Sequence, residues 1–473
     1  MKNNRRDFLK KLGFAGLTLP GISLFGTGQK QDEDPFHRPY RQRFNMHGYA
    51  APKLDTVRIG IIGLGNRGSG TVSRLASIEG VDIKALCDLE SDRVEAAADS
   101  LKGTSHNPDG YSGGEDEWKK VCEREDIDLI SIVTPWHLHT PMAVFAMEHE
   151  KHAYTELPAA QTIDECWELV ETSEKTRKHC VQISSSCHDS MKAIVLNMVR
   201  KGYFGEIIHG EGAYIHDLLE RYNFDKDMYH NNWRLKENIN RNGNLYPQHG
   251  LTPIAQMMDL NYGDQMDYMV SMSSNDFMMN KKANELAEKD DFWKPYTDWD
   301  YRGNINSSII RTHKGRTLMI QHDVSSPRPN VRFDLISGTK GTFKAGPDRI
   351  STSHDGWVSK EEFDSLVEKY TPELTKRFNR MLRESKAGEA GHSYYNVDAR
   401  DWRLIDCLRN GLPVEMDVYD AALTSSIIPL SEWSVANGSK PVKVPDFTGG
   451  AWKHNERGMD VELKNGGGTT KLI

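Results

Sequence analysis

Within four residues this 473-residue chain places a phenol, an amide and an imidazole: Tyr246, Gln248 and His249, in a stretch bounded by Gly243 and Gly250. An imidazole exchanges a proton near neutral pH, and a phenol donates a hydrogen bond or a proton. A loop of that make-up is expected to present polar groups rather than bury them, so Tyr246 and His249 are the candidates for proton transfer. Tyr214 lies near the end of a strand-like run, Ala213-Tyr214-Ile215-His216-Asp217. Arg234 follows Trp233 in a later loop. Its guanidinium can fix a substrate oxygen, with a surface salt bridge as the plain alternative.

A second constellation needs a different ligand. Gly63-Leu64-Gly65-Asn66-Arg67-Gly68 follows an apolar run over residues 57–64 and precedes a helical pattern. That is the context in which such a loop binds a dinucleotide. The first glycine makes the tight turn, the second lets the backbone approach a pyrophosphate, and the helix N-terminus stabilises the phosphate charge. Asp88 ends the second apolar run about twenty residues after Gly68, where a carboxylate accepts from ribose hydroxyls and repels a 2′-phosphate. NAD is therefore expected over NADP. Trp136 and His139 sit in Thr134-Pro135-Trp136-His137-Leu138-His139, at the carboxyl end of the third apolar run, and are expected to flank the cofactor. His137 reads as a solvated loop histidine, and His137-x-His139 lacks the further ligand spacing a metal site needs. Glu156, before Leu157-Pro158 at the end of the fourth run, is a candidate ribose or substrate ligand or a helix cap.

These groups require particular elements to hold them. Residues 55–184 alternate short apolar runs with helical periods, which predicts a Rossmann-type doubly wound parallel sheet. Beyond it, strand-like segments separated by turns predict a C-terminal α+β domain, 185–473, with a large open, mostly antiparallel sheet. Residues 420–437 read as an amphipathic helix. The fold class is thus α/β with two domains. Apolar residues at 37% and charged residues at 27% suffice for two cores. A formal net charge of -8 gives no basic field for nucleic acid or anionic lipid. Six cysteines, at 87, 122, 166, 180, 187 and 407, form no Cys-x-x-Cys pair, and no metal is expected.

The first 30 residues read as a leader. Arg5-Arg6-Asp7-Phe8-Leu9-Lys10 precedes an apolar stretch over residues 14–25 that is too short to span a bilayer. This pattern predicts export in the folded state by the twin-arginine route, to the periplasm or beyond, with no stable membrane anchor. Residues 31–54 are expected to form an N-terminal arm rather than core. An exported enzyme has no dissolved nicotinamide pool. Its coenzyme is therefore expected to stay bound and to return to its starting redox state in each turnover.

Taken together these residues resemble the Gfo/Idh/MocA oxidoreductase superfamily. Within it the chain is similar to glycoside hydrolase family 109, whose known activity is α-N-acetylgalactosaminidase. The resemblance rests on the glycine loop, residues 210–218, Trp233-Arg234, residues 243–247 with His249-Gly250-Leu251, and Gln321-His322-Asp323 with Ser326-Pro327-Arg328-Pro329. It implies that NAD⁺ removes a hydride from C3 of a sugar. The ketone acidifies C2–H, a base takes that proton, the aglycone leaves, water adds, and C3 is reduced again. Two carboxylates flanking the bond are not needed in such a route. The resemblance further implies that Asn66, Arg67, Asp88, Trp136, His139, Glu156, Leu157 and Ser185 contact NAD. It implies that Tyr214, Arg234, Tyr246, Pro247, Gln248, His249 and Asn330 face a small glycoside or glycan terminus, and that copies pair through the open sheet.

The chain also departs from the family pattern. Leu157 replaces the lysine of the wider superfamily, which agrees with family 109. Ser184-Ser185 and His188 stand where Glu-Asn and a Tyr are usual, Gln248 where Thr is usual, and Asn330 where a substrate-contacting Tyr is usual. The departures cluster at sugar-facing positions, which leaves another glycoside open as the substrate. A sugar 3-dehydrogenase or sugar–sugar oxidoreductase with tightly bound NAD(P) is the alternative activity.

Overall fold

The computed structural model describes residues 34–183, 188–332, 334–385 and 398–473. Six strands form the first sheet: β1 (Val57–Ile62), β2 (Val81–Cys87), β3 (Asp109–Tyr111), β4 (Leu129–Ile132), β5 (His152–Thr155) and β6 (Cys180–Gln182). Their order is β3-β2-β1-β4-β5-β6, and every pairing is parallel. β1 and β4 are buried at nearly every position, as a strand covered by helices on both faces must be. The strand order reverses between β1 and β4, and the crevice at that switch point is where open α/β sheets bind ligands.

The second sheet contains β7 (Ile207–Ile215), β8 (Met266–Ser273), β9 (Ile305–Thr312), β10 (Thr317–Asp323), β11 (Leu335–Gly338), β12 (Thr342–Lys344), β13 (Arg349–Ser351) and β14 (Val442–Lys443). Its order is β13-β12-β11-β7-β10-β9-β8-β14; among the described residues only β7 and β10 run parallel. One face packs on the helices Gln248–Met257 and Val418–Ala436. Met272 and Ile309 are exposed on the other.

Three features depart from the sequence-based expectations. The helix Val418–Ala436 is buried around most of its circumference instead of showing one apolar stripe. Its small hydroxyls turn back onto its own carbonyls (Thr424 to Asp420, Ser426 to Leu423, Ser431 to Ile428), so they are satisfied without water. The arm contributes to the core: Met46 is buried, its N–H donates to Tyr419 Oη, and His47 Nδ1 lies 2.9 Å from an Asp417 carboxylate oxygen. Finally, the core of the first sheet recruits distant chain. Trp402, Leu404, Ile405, Leu408 and Leu472 pack with Ile59, Leu75 and Ile83. Trp402 Nε1 donates to the Thr470 carbonyl at 2.8 Å, which ties the C-terminal tail to this core.

Candidate active site

The glycine loop leaves β1 as its residue types demand. Gly63 has φ +90°, and a Cβ there would lie 2.5 Å from the Val133 carbonyl oxygen. A Cβ on Gly68 would lie 1.8 Å from the Gly63 carbonyl oxygen, so Gly68 serves the packing of the turn and does not line the cavity. Asp88, at the end of β2, accepts from the N–H of Leu64 at 2.6 Å and of Glu90 at 3.1 Å. Its carboxylate thus braces the loop from beneath, beside Arg93 at 3.5 Å.

In front of this loop lies a cavity of about 610 Å³. Gly63, Gly65, Asn66, Arg67 and Asp88 line it together with Trp136, Glu156, Leu157, Tyr214, Arg234 and Tyr246, and the Arg67 guanidinium is within electrostatic reach of Glu156, Tyr246 and Tyr214. The backbone cradle that excludes Cβ atoms, the helix N-terminus behind it and the β2 carboxylate fit a nicotinamide dinucleotide. His139 also borders the cavity, but its Nδ1 lies 2.7 Å from the Pro158 carbonyl oxygen and its Nε2 2.8 Å from that of Thr134. Burial lowers its pKa, so the neutral ring carries one N–H, donates to one of these carbonyls and packs against the other, bracing the two turns.

Around Tyr246 the rings interlock. Trp136 stacks on Tyr246 at 5.1 Å, Tyr214 stacks on His249 at 4.9 Å, and Tyr246 meets both Tyr214 and His249 edge-on at 4.9 Å. The Arg234 guanidinium lies over Trp136, Tyr246 and Tyr229 at 5.4 to 5.9 Å. Arg332 lies over Tyr214 at 4.4 Å. Burial above all, then the Glu156 carboxylate, raises the Tyr246 phenol above its ordinary range, against the opposing pull of Arg234. Burial, then the positive charges of Arg332, Arg67, Lys192 and Arg400, holds His249 well below the ordinary imidazole range. The site therefore pairs a protonated phenol with a neutral imidazole, one acid and one base in contact.

The stretch from Gly243 to Gly250 does not present its polar groups to water as expected. Asn244 and Gln248 are fully buried, because Gln248 opens a helix that packs on β7. Neither Gln248 amide atom has a hydrogen-bond partner among the described residues. Pro247 is buried beside it, and neither residue lines the cavity. Asn330 is exposed, accepts from Arg332 at 2.9 Å and is likewise outside the cavity lining. Ser184 and Ser185 lie outside the described residues, as do Arg5 and Arg6. Sequence reasoning did not single out Met228, Tyr229 and His230, which line the cavity from the second domain. The polar and aromatic run over residues 229–233 was the available signal.

Comparison with known proteins decides the family. Alpha-N-acetylgalactosaminidase of Bacteroides fragilis is 45% identical over 424 residues, covering 88% of this chain and 97% of that protein. This chain belongs to glycoside hydrolase family 109. A glycosyl hydrolase family 109 protein of Shewanella pealeana is 39% identical over 467 residues, covering 96% and 98%. Residues 188–454 match the family 109 C-terminal domain, and residues 57–184 match the oxidoreductase family with an NAD-binding Rossmann fold. The fold is shared with levoglucosan dehydrogenase in complex with NADH, at a TM-score of 0.61 and 17% identity over 83% of this chain and 100% of that one. Two of the residues that set this chain apart have clear places in the structure. His188, a departure from the family 109 pattern, is bound to Glu415 at 2.9 Å. Leu157, which replaces the lysine of the wider superfamily, is buried against the ring cluster.

Proposed function

We propose that this family 109 enzyme is an NAD-dependent glycosidase acting on a terminal α-linked N-acetylgalactosamine or a closely related glycoside. The observation that carries the reading is the contact of the protonated Tyr246 phenol, which lines the same cavity as the dinucleotide loop, with the neutral His249 imidazole, which packs on Tyr246 and Tyr214 and is not itself among the lining residues. When bound, the coenzyme supplies reversible oxidation of the sugar at C3, which acidifies the proton at C2. His249 then takes that proton, since a neutral imidazole is the competent base. Tyr246 Oη, still protonated, donates to the departing glycosidic oxygen. The Arg234 guanidinium stabilises negative charge on the sugar oxygens, a role its planar fork suits. With Leu157 at the position that holds a lysine in the wider superfamily, proton transfer rests with the second domain.

We further infer that the chain is exported in the folded state and that copies of it pair. Arg5-Arg6 and the short apolar stretch support the export. Among the described residues no helix is long and apolar enough to cross a membrane. Met272 and Ile309 on the open face of the second sheet support pairing of copies through it.

The test uses purified mature enzyme, nitrophenyl glycosides of both anomers and no added NAD, in deuterated water. Nitrophenol release with deuterium appearing at C2 of the freed sugar is expected. Release without exchange, or release undiminished after the coenzyme has been stripped, would overturn the proposal. Keto-sugar products without nitrophenol would identify a sugar oxidoreductase instead.

A further inference from the structure

Residues 225–232 follow β7 in sequence, yet they reach the carboxyl edge of the first sheet. Lys226 Nζ ties the segment to Asp290 at 2.9 Å on its own side. Across the crevice, Asn66 Nδ2 lies 3.5 Å from the Met228 sulfur, and His230 Nδ1 lies 3.1 Å from Glu90 Oε1, two residues beyond Asp88. Met228, Tyr229, His230 and Asn231 line the same cavity as the glycine loop. Asn231 and Asn232 are both left-handed, with φ of 52° and 47°. Asparagine tolerates that conformation better than other non-glycine residues, and the double turn re-aims the chain. It delivers Trp233 edge-on to Trp136 at 5.6 Å and Arg234 over the ring cluster. One strap therefore borders the glycine loop and carries Trp233 and Arg234 to the ring cluster.

We propose that residues 225–232 form a retaining strap for the dinucleotide, with Met228 against Asn66 and His230 against Glu90 as the contacts that must open before it can leave. The inference rests on the NAD reading above and assigns residues that neither the glycine motif nor the family resemblance names. A groove formed by the first domain alone would release its ligand directly. A covered groove releases it only from the opened fraction, so the release rate scales with that fraction. The His230 and Glu90 side chains are 54% and 44% exposed. Such a pair contributes little to global stability. Its removal should therefore change release without unfolding the protein.

The test compares coenzyme retention in wild type, Met228→Ala, His230→Ala, Glu90→Ala and His230→Lys, each purified as the full mature chain. Bound coenzyme is released by heat and assayed enzymatically at intervals during dialysis. Elution volume and melting temperature in coenzyme-saturated buffer confirm the fold. Wild type and His230→Lys should retain the coenzyme, and the three alanine variants should lose it about ten times faster. A tenfold change corresponds to about 1.4 kcal/mol. Retention equal to wild type in all three alanine variants overturns the strap and leaves the NAD reading standing. Leakage from His230→Lys as fast as from His230→Ala removes the contact with Glu90 as a latch. Wild type that neither holds coenzyme nor binds added NAD overturns the NAD reading itself.

Discussion

The imidazole of His249 lies on the ring of Tyr214, with centroids 4.9 Å apart and planes 16° from parallel. Two glycines make that approach possible. A Cβ on Gly212 would lie 2.2 Å from the Gly250 carbonyl oxygen, and a Cβ on Gly250 would lie 2.2 Å from the Ala213 nitrogen. β7 and the helix Gln248–Met257 thus touch backbone to backbone, beside the two rings in sequence.

Gly250→Ala should separate them. The clash is with main chain, so no rotamer change relieves it. Overpacking of this kind costs about 1–3 kcal/mol. A catalytic group displaced by about 1 Å costs on the order of 10²-fold in rate. Melting temperature and kcat/KM measured on the same preparation check this. Stability lost with kcat/KM intact would show that the stack does not position His249 for the reaction.

Much of this arrangement was legible in the sequence because its signals are local. The apolar run over residues 57–64, with Gly63-x-Gly65-x-x-Gly68 and then Asp88, carries strand, turn and carboxylate in order, and each rests on a short-range steric rule. Tyr246 and His249 stood out by residue type. What escaped was long-range or unusual in its polarity. Trp402 and Leu472 enter the core of the first sheet from beyond the second, and nothing near them in sequence says so. β3 has only three residues, two of them exposed, too short for a period to show. The helix Val418–Ala436 reads as half polar by residue type, yet it is buried, with Thr424, Ser426 and Ser431 bonding its own carbonyls and Ser425 and Ser434 bonding Gln182 and the Lys440 carbonyl.

The opposed states of Tyr246 and His249 predict a wide pH plateau. His249 must be neutral to act as a base, and its pKa is depressed, so the acid limb of kcat/KM should fall below about pH 6.5, the ordinary imidazole value. Tyr246 must be protonated, and its pKa is raised, so the basic limb should lie above about pH 10. His249→Asn should lose the acid limb and Tyr246→Phe the basic one, each with a rate loss of about 10²–10⁴-fold. An acid limb at or above about pH 6.5 in wild type that persists in His249→Asn would remove His249 as the base.

Arg234 separates binding from catalysis. Arg234→Lys keeps the charge but loses the planar fork and its stacking on Trp136 and Tyr246. A hydrogen bond to a charged group contributes about 1.5–3 kcal/mol, so loss of one should lower kcat/KM roughly 10- to 100-fold. If Arg234 stabilises charge that develops during the reaction, the loss appears in kcat. A rise in KM with kcat unchanged would reduce Arg234 to a binding contact.

His179 predicts acid sensitivity far from the active site. Its ring is 2% exposed, stacks on His152 at 5.1 Å, and neither of its nitrogens has a hydrogen-bond partner among the described residues. Burial lowers its pKa to about 4, against a weaker opposing pull from Asp417. Below the unfolded value of about 6.5, the unfolded chain takes up a proton that the native ring refuses. The stability present at neutral pH is therefore lost as pH falls, by about 1 kcal/mol at about pH 5.5 and about 3 kcal/mol by about pH 4. His179→Leu removes this one contribution whatever it does to packing, because the comparison is between two pH values within each protein. Urea unfolding at about pH 7.5 and about pH 5.5 should show a gap about 1 kcal/mol smaller in the variant than in wild type. An equal gap in the two proteins would mean that His179 is charged in the folded state or solvated there.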